Sequence, residues 1–389
     1  MNSELVTLLK DARLNRASES IKLDYQKLFD LANQHQISAL IYNQIYNFGD
    51  FPMELKEIWK SQTFKINVIQ TRKTMKMLQV YKQFLNQNLK VLIVKGLICR
   101  SLYPHPDNRQ SNDEDLYVQK EEFEKTKDIL LKNNFAVVLE SNDVTTFIDP
   151  VSGLSIELHT ALFSLESKAY GNYQKYFDHA FDECIVHQID GVNVYSLEYS
   201  QHLLFLILHF VKHFFHGGVG IRQVADIVMY SEAYGNRIDW DRLYAVLKDL
   251  NIYILIISLF ALAHDHLEFD YTKIKVPDDI DNNDYQDLFD DIMDAGIFGQ
   301  SSSERIHSAT ITLNTIGNGK TSVIKSIFPS LKEMQSKYKY LNKYPILLPA
   351  AYLSRILNYK KNNSSKNSQK TIEVGRQRVE LLKKYKVIR

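Results

Sequence analysis

The amino-acid sequence predicts an α+β fold, in which helical regions flank a mixed β-sheet core on its N- and C-terminal sides. Residues 1–88 lack strand signals, residues 89–196 contain several short apolar runs, and from Leu197 onward apolar residues recur at helical spacing. These changes of pattern predict four segments along the chain. They are a helical lead-in domain at 1–88, a sheet-containing core at 89–196, a helical domain at 197–359, and a basic, partly mobile tail at 360–389.

The composition is that of an ordinary globular protein. Of the 389 residues, 45% are hydrophobic and 24% are charged, which excludes wholesale disorder. The formal net charge of +1 argues neither for nor against a polyanionic partner. The two cysteines, Cys99 and Cys184, are too few for a disulfide framework or a thiolate zinc site, so we expect a reducing compartment.

No segment has the pattern of a membrane anchor. The N-terminus lacks a basic start followed by an apolar signal core. The longest apolar stretches, 202–211 and 252–263, are shorter than the roughly 20 residues that cross a bilayer. We therefore expect buried core helices, no membrane insertion and a cytoplasmic location.

Periodicity and turn signals predict the individual elements. The predicted helices are 25–34, 39–47, 64–88, 97–102, 121–133, 200–215, 221–232, 240–249, 330–341 and 347–359. The predicted strands are 91–94, 113–118, 135–139, 145–148 and 154–159, and a hairpin is predicted at 185–195 with its turn on Asp190-Gly191. A Pro- and Gly-containing reversal at 149–153 joins the last two single strands.

Charge is segregated near the C-terminal side. Residues 265–294 contain eleven acids and two lysines, and they contain Pro277, which favours a loop or insertion. Residues 360–389 contain ten basic residues and two acids, and 360–370 have a low-complexity, polar composition typical of mobile segments. Three interpretations remain open: two solvated segments, a basic tail that contacts a polyanion, or a tail that contacts the acidic segment.

The most informative motif is Asp113-Glu114-Asp115. Side chains two apart on a strand project from the same face, so the carboxylates of Asp113 and Asp115 lie side by side. Two such carboxylates repel each other unless a cation lies between them. Oxygen-only ligands suit Mg²⁺, which proteins commonly hold with one or two carboxylates together with substrate phosphates.

Neighbouring residues strengthen this interpretation. Lys95-Gly96 follows the preceding strand, where the glycine lets backbone N–H groups approach a phosphate and the lysine provides a point charge. Arg109 is suited to bidentate contact with a polyphosphate. Glu157 is flanked by apolar residues on a later strand and should meet a cation or a donor.

Together these residues resemble the uncharacterised nucleotidyltransferase family found in bacteria, within the DNA polymerase β-like nucleotidyltransferase superfamily. The resemblance covers about residues 60–350. The matching motifs are Lys95-Gly96, Tyr103-Pro104, Arg109-x-x-x-Asp113-x-Asp115-Leu116, Glu157-Leu158-His159, Gln201–His213, Arg222-x-x-x-Asp226 and Ile238-Asp239-Trp240.

The resemblance implies a nucleotidyltransferase-type core at 89–196, with Asp113 and Asp115 as metal ligands and Glu157 as the third acid. It implies Mg²⁺ (or Mn²⁺) and the transfer of a nucleoside monophosphate from an NTP to a hydroxyl-bearing acceptor, which could be a small molecule, a sugar, a protein or RNA. Two positions depart from the family pattern. Leu97 stands where a small residue usually follows the glycine, and Glu157 is longer than the expected aspartate.

Several further residues are candidates for the site. His202, His209 and His213 fall within about 40° on one helix face, which is compatible with zinc binding, with a position facing the cleft, or with bonds to core backbone groups. His159 shares the strand face of Glu157 and is a candidate to orient a carboxylate or to touch substrate. Arg222 and Asp226 have the spacing of an intrahelical ion pair, and the alternative is that Arg222 binds phosphate.

Two rival functions remain open at this level. Leu97 and Glu157 are compatible with a protein that binds a nucleotide or a partner without turnover. A toxin-like transferase acting on tRNA is the other rival, and the basic tail at 360–389 would then contact the nucleic acid.

Overall fold

The computed structural model describes residues 1–164, 166–280, 284–296, 338–354 and 365–388, with isolated positions between 305 and 335; side chains in the last range are described from residue 373. The helices are α1 Asn2–Arg13, α2 Tyr25–Gln34, α3 Ser38–Ile45, α4 Met53–Asn86, α5 Leu97–Ser101, α6 Phe123–Lys132, α7 Ala180–Glu183, α8 Tyr199–His216, α9 Ile221–Tyr234, α10 Trp240–Asp249, α11 Tyr253–Leu267, α12 Gln286–Ala295 and α13 Ser365–Lys384. The strands are β1 Leu92–Ile93, β2 Asp113–Tyr117, β3 Ala136–Glu140, β4 Val144–Ile148, β5 Ser155–His159, β6 Ile185–Ile189 and β7 Val192–Ser196.

The seven strands form one mixed sheet in the order β3-β4-β5-β2-β1-β7-β6. The pairs β2–β5 and β1–β7 are parallel, and the other neighbours are antiparallel. The predicted α+β class is therefore confirmed. The hairpin turn is confirmed as well, since Asp190 and Gly191 both adopt the positive φ that a two-residue hairpin turn requires.

Most predicted helices are present, but the helix predicted at 64–88 begins at Met53 instead. Its first turns pack through Trp59, whose indole N–H donates to Ser38 O at 3.0 Å. The loop predicted across the acidic segment is wrong in part, because α12 lies within it. Leu288 and Ile292 form a buried stripe on α12 that helical spacing brings onto one face.

Two predicted C-terminal elements fall partly outside the described residues. Of the helix at 330–341, only isolated positions and a 3₁₀ turn at 339–342 are described. Of the helix at 347–359, residues 347–354 are described; Leu347 ends a 3₁₀ turn and 348–354 are α-helical. The predicted mobile stretch at 360–370 is described only from residue 365 onward, where α13 has begun.

One cluster of buried apolar side chains runs from α1 through the sheet to α13, including Leu5, Ile93, Leu208 and Leu382. Burial of such side chains contributes most of the favourable free energy of folding. None of the helices in the described ranges has the length and apolarity to cross a bilayer.

The basic tail contacts the acidic segment, as one of the three interpretations predicted. Lys384 forms ion pairs with Asp284, at 2.9 Å, and with Asp287. The Tyr385 hydroxyl donates to Asp284 O at 3.0 Å and accepts from Leu288 N–H at 3.2 Å. The opposite charges of the two segments are therefore partly neutralised within the molecule.

A buried ionic triad joins the tail to the end of α8. Asp291 on α12 accepts from Arg378 on α13 at 2.9 Å and from Arg305 at 2.6 Å. Arg378 also donates to Phe214 O, and Arg305 Nε donates to Gly217 O at 3.0 Å. The two guanidinium groups thus cap carbonyl groups that the last turn of α8 leaves without intrahelical partners.

His35 links three helices in the interior. Its Nε2 lies 3.2 Å from Met293 O on α12, and its Nδ1 accepts from Ile221 N–H at the start of α9, at 3.3 Å. These partners require a neutral ring that carries its proton on Nε2. Burial accordingly lowers the pKa of His35 to about 4.

The pKa of His35 predicts acid sensitivity. Because it is lower in the folded protein than the unfolded value of about 6.5, the unfolded state binds the extra proton, and stability present above pH 6.5 is lost as pH falls toward 4. We expect His35 to contribute about 2 kcal/mol to the loss of unfolding free energy between pH 6.5 and 5.

Urea unfolding of His35→Gln across this range should show a flatter pH dependence than the wild type. The exposed His105→Gln serves as the matched control and should follow the wild type. Equal pH dependence in wild type and His35→Gln would contradict the assignment.

Candidate functional site

The register of β2 against β5 brings four predicted site residues onto one face of the sheet. Asp115 pairs with Glu157, and the parallel ladder also sets Asp113 beside Ser155 and Tyr117 beside His159. Alternate residues of a strand share a face, so Asp113, Asp115, Glu157 and His159 all project to the same side.

Asp115, Glu157 and His159 are in close contact there. His159 Nε2 lies 3.2 Å from Asp115 Oδ1 and 3.5 Å from Glu157 Oε2, and donor atoms of all three residues lie within 4.8 Å of one another. Burial opposes charge on the imidazole, but the hydrogen bonds that the ring donates to Asp115 and Glu157 outweigh it and raise the pKa of His159 to about 9. The imidazole and the two carboxylates thus form one strongly interacting group.

The two aspartates of the motif differ in the direction in which their surroundings shift the pKa. Burial raises the pKa of Asp113, and the charges of Asp115 and Glu157 raise it further, while Lys95 acts against both. For Asp115, burial is again the largest single influence, but Lys95 and His159 together bring the pKa below its usual value. Asp115 is therefore ionised at neutral pH, and Asp113 experiences the repulsion expected of converging carboxylates.

Cationic and imidazole side chains from the end of β1 and from α8 lie beside the carboxylates. Lys95 Nζ lies 3.6 Å from Asp115 Oδ2 and 3.3 Å from His209 Nε2, and His209 Nε2 lies 3.2 Å from His213 Nε2. Burial, followed by the charge of Lys95, lowers the pKa of both histidines, so both rings are neutral. His209 therefore lies beside Lys95, and His213 lies beside His209, next to the carboxylates.

Lys212 on α8, which sequence reasoning missed, also lies near these carboxylates and Lys95. Burial lowers the pKa of its ammonium group, against the opposing influence of the charges of Asp115, Glu157 and Asp113. A lysine inside the apolar run of α8 was the signal that could have identified it, because a buried lysine needs nearby negative charge.

The residues present fit a divalent cation. Asp115 Oδ2 is buried and has no hydrogen-bond partner among the described residues, and Lys95 Nζ lies 3.6 Å from it. A buried carboxylate oxygen is costly unless a cation compensates it, and a divalent ion would add to the contact with Lys95. Two neighbouring carboxylates complete a set of oxygen donors that suits Mg²⁺ or Mn²⁺.

Glu114, between the two aspartates, has a structural role that the sequence did not reveal. It projects to the opposite face of β2, where Oε1 accepts from Arg100 at 2.5 Å and Oε2 accepts from Leu97 N–H at 2.6 Å. Arg100 also donates to Gln70 Oε1 on α4 at 2.6 Å. This buried network joins β2, α5 and α4 directly behind the aspartates.

The same network explains Gly96. Its φ is +41°, and a Cβ at this position would lie 1.9 Å from Glu114 Oε2. The glycine therefore makes room for a carboxylate of the protein itself. Since Leu97 N–H donates to that carboxylate, this amide is not available to a phosphate, which the sequence-based interpretation of Lys95-Gly96 had assumed for this loop.

Arg109 and Arg222 lie in a buried polar layer between the loop before β2 and α9. Arg109 forms a bidentate pair with Asp226 at 2.8 and 2.6 Å, and Tyr103 OH donates to the same carboxylate at 2.9 Å. Arg222 donates to Gln36 Oε1 at 2.9 Å and to the carbonyl of Gln110. Arg222 and Asp226 therefore do not form the predicted intrahelical ion pair, because Asp226 pairs with Arg109 instead.

His202 is separated from the other two histidines of its helix stripe. It is fully buried and stacks on Tyr230 with ring centroids 4.7 Å apart. The three histidines consequently do not form a common zinc site in the described structure. Of the three, His209 lies beside Lys95, and His213 lies beside His209.

Comparison with known proteins places the chain in a family. A family model described as an uncharacterised nucleotidyltransferase matches residues 22–268, which is more than half of the chain. The protein belongs to this nucleotidyltransferase family. No curated protein matches it. Among solved structures, the chain is similar to an antigenic nucleotidyltransferase-like protein from Paracoccidioides brasiliensis, with 14% identity and a TM-score of 0.34 over 52% of this chain and 94% of that one.

The network behind the site predicts a large effect of one conservative change. Glu114→Gln removes the charge that compensates Arg100, and breaking a buried pair in this way typically costs about 3–5 kcal/mol. Urea unfolding should show a loss of this size. Glu121→Gln, an exposed acid, should change the unfolding free energy by less than about 0.5 kcal/mol.

A double variant tests the pairing itself. Glu114→Gln combined with Arg100→Met should recover part of the loss, since no unpaired charge remains. If the two single losses simply add in the double variant, the two side chains are not energetically coupled.

Proposed function

We propose that the protein is a metal-dependent nucleotidyltransferase that transfers a nucleoside monophosphate from an NTP to a hydroxyl-bearing acceptor. Family membership supports a general nucleotidyltransferase function. The observation that carries the finer proposal is the convergence of Asp113, Asp115 and Glu157 on one sheet face beside two lysines.

In this proposal Asp113, Asp115 and Glu157 hold divalent ions, which when bound neutralise phosphate charge and polarise the α-phosphorus. The acceptor oxygen forms a bond to the α-phosphorus, the bond to the bridging oxygen breaks, and pyrophosphate leaves. We assign Glu157, which is more exposed than Asp115, to receive the acceptor proton. The protein contributes positioning and charge, and no covalent intermediate is required.

Lys95 and Lys212 are the groups assigned to the triphosphate. Lys95 approaches Asp115 from the end of β1, and Lys212 approaches the same carboxylates from α8. A lysine acts as a point charge toward phosphate oxygens. Arg109 and Arg222 are left out of the phosphate contacts, because their guanidinium groups are buried among protein partners.

A tRNA acceptor is not part of the proposal. The basic tail is the element that would serve it, and Arg378 and Lys384 are already paired with Asp291, Asp284 and Asp287. The rival without turnover differs from the proposal in one measurable respect, since it predicts metal-dependent NTP binding but no labelled product.

The direct test is incubation with each α-labelled NTP, a divalent ion and a cell extract, followed by a search for labelled product. The wild type should form product, and Asp113→Ala/Asp115→Ala should lower the rate by at least about 100-fold, since the site then loses two of its three carboxylates. Asp178→Ala/Asp182→Ala, an exposed pair, is the control and should keep the wild-type rate. Product formation that survives the first double change would overturn the site.

The lysine assignment predicts a separate effect. Lys212→Met keeps the aliphatic stem and removes the charge, so the KM for NTP should rise about tenfold, as expected for one lost charge-assisted hydrogen bond. The exposed Lys120→Met is the matched control. Steady-state kinetics with unchanged KM in Lys212→Met would remove this residue from the phosphate site.

A further inference from the structure

The donor set next to the aspartate motif contains a nitrogen atom. Nε2 of His159 lies 3.2 Å from an Asp115 oxygen and 3.5 Å from a Glu157 oxygen, and an ion bound there would replace the proton that Nε2 shares with these carboxylates. Two donors that bind one ion at about 2.1 Å, with bond angles of 90–109°, lie about 3.0–3.4 Å apart. Both measured separations are close to that range.

Two further observations point to an ion at this position. Asp115 Oδ2 is buried without a hydrogen bond among the described residues, and its ion-pair partner Lys95 Nζ lies 3.6 Å away, so this oxygen keeps its capacity to bind an ion. The side chain of Glu157 is 36% exposed, which leaves it room to adjust toward a ligand, whereas Asp115 and His159 are held in the interior. The group thus combines two fixed donors with one adjustable donor.

The chemistry of the donors determines which ion they favour. Mg²⁺ is a hard cation that takes oxygen ligands and keeps much of its water. Imidazole nitrogen favours first-row transition metals. For a given site, the affinity for Co²⁺ is higher than the affinity for Mn²⁺. Asp113 is outside the group whose donor atoms lie within 4.8 Å of one another. It adds a carboxylate oxygen on the side of Asp115 that is away from His159.

We propose that Asp115, Glu157 and His159 form a mixed nitrogen–oxygen site that binds a transition-metal ion such as Mn²⁺ or Co²⁺ in preference to Mg²⁺. The inference deepens the proposed function, since it concerns the same carboxylates. It adds His159 as a metal ligand. On the side of Asp115 that is nearer Asp113, we expect an ion to be held by carboxylate oxygens alone.

Binding of the ions alone, without nucleotide, tests the proposal. Titration calorimetry with Mg²⁺, Mn²⁺ and Co²⁺ should give affinities in the order Co²⁺, Mn²⁺, Mg²⁺. The pulsed electron paramagnetic resonance spectrum of bound Mn²⁺ should contain the nuclear modulation of a coordinated imidazole ¹⁴N. Equal affinities for Mg²⁺ and Mn²⁺, or a spectrum without that modulation, would overturn the proposal.

His159→Gln distinguishes a ligand from a structural contact. Glutamine keeps an N–H donor for the two carboxylates but offers no imidazole nitrogen. We expect Mn²⁺ affinity to fall at least about tenfold, the ¹⁴N modulation to disappear and Mg²⁺ affinity to change little. Loss of Mg²⁺ and Mn²⁺ affinity to the same degree, or of neither, would contradict ligation by His159.

A control and an activity measurement separate the possible failures. His216→Gln changes a histidine of α8 that contacts Tyr170 rather than the carboxylates, and it should bind Mn²⁺ as the wild type does. Labelled-product formation with Mg²⁺ by a protein that shows no preference for Mn²⁺ would remove the nitrogen ligand and leave the transferase intact. Selective Mn²⁺ binding without any labelled product would support the nitrogen ligand and contradict the transferase activity.

Discussion

The buried carboxylate of Glu114 is the contact on which the geometry of the site depends. It accepts from Arg100 and from Leu97 N–H, and it lies where a side chain at position 96 would otherwise be. Because Glu114 shares its strand with Asp113 and Asp115, any movement of α5 relative to β2 would break these buried bonds. The buried hydrogen bonds and ion pair of Glu114 on one face of the strand therefore fix the position of the carboxylates on the other face.

A second buried layer links the sheet to the helices that follow it. The bidentate Arg109–Asp226 pair joins the loop before β2 to α9, and Arg222 joins α9 to the N-terminal helices. Buried guanidinium groups with fixed partners give rigidity and register more than net stability. In this protein they hold the loop that leads into the aspartate motif.

The sequence was sufficient for the fold class and for most elements, because strand alternation, the Asp190-Gly191 turn and helical spacing are local signals. It also indicated that Glu157 needs a partner, and that His159 shares its strand face and is a candidate to orient a carboxylate. The roles of Glu114 and Arg109 could not be predicted, because an acid and an arginine near a metal motif have the same sequence pattern whether they face a substrate or each other. Their partners are set by tertiary packing.

The arginines at the end of α8 have a consequence for how the protein is made. Phe214 and Arg378 are 164 residues apart, yet the carbonyl of one accepts from the guanidinium of the other. At about 5–20 residues per second, translation needs about 8–30 s to reach Arg378 after Phe214 has been added. For that interval α8, which carries Lys212, His209 and His213, lacks the cap that Arg378 provides. A nascent chain can thus contain every residue of the site before α8 has its final support.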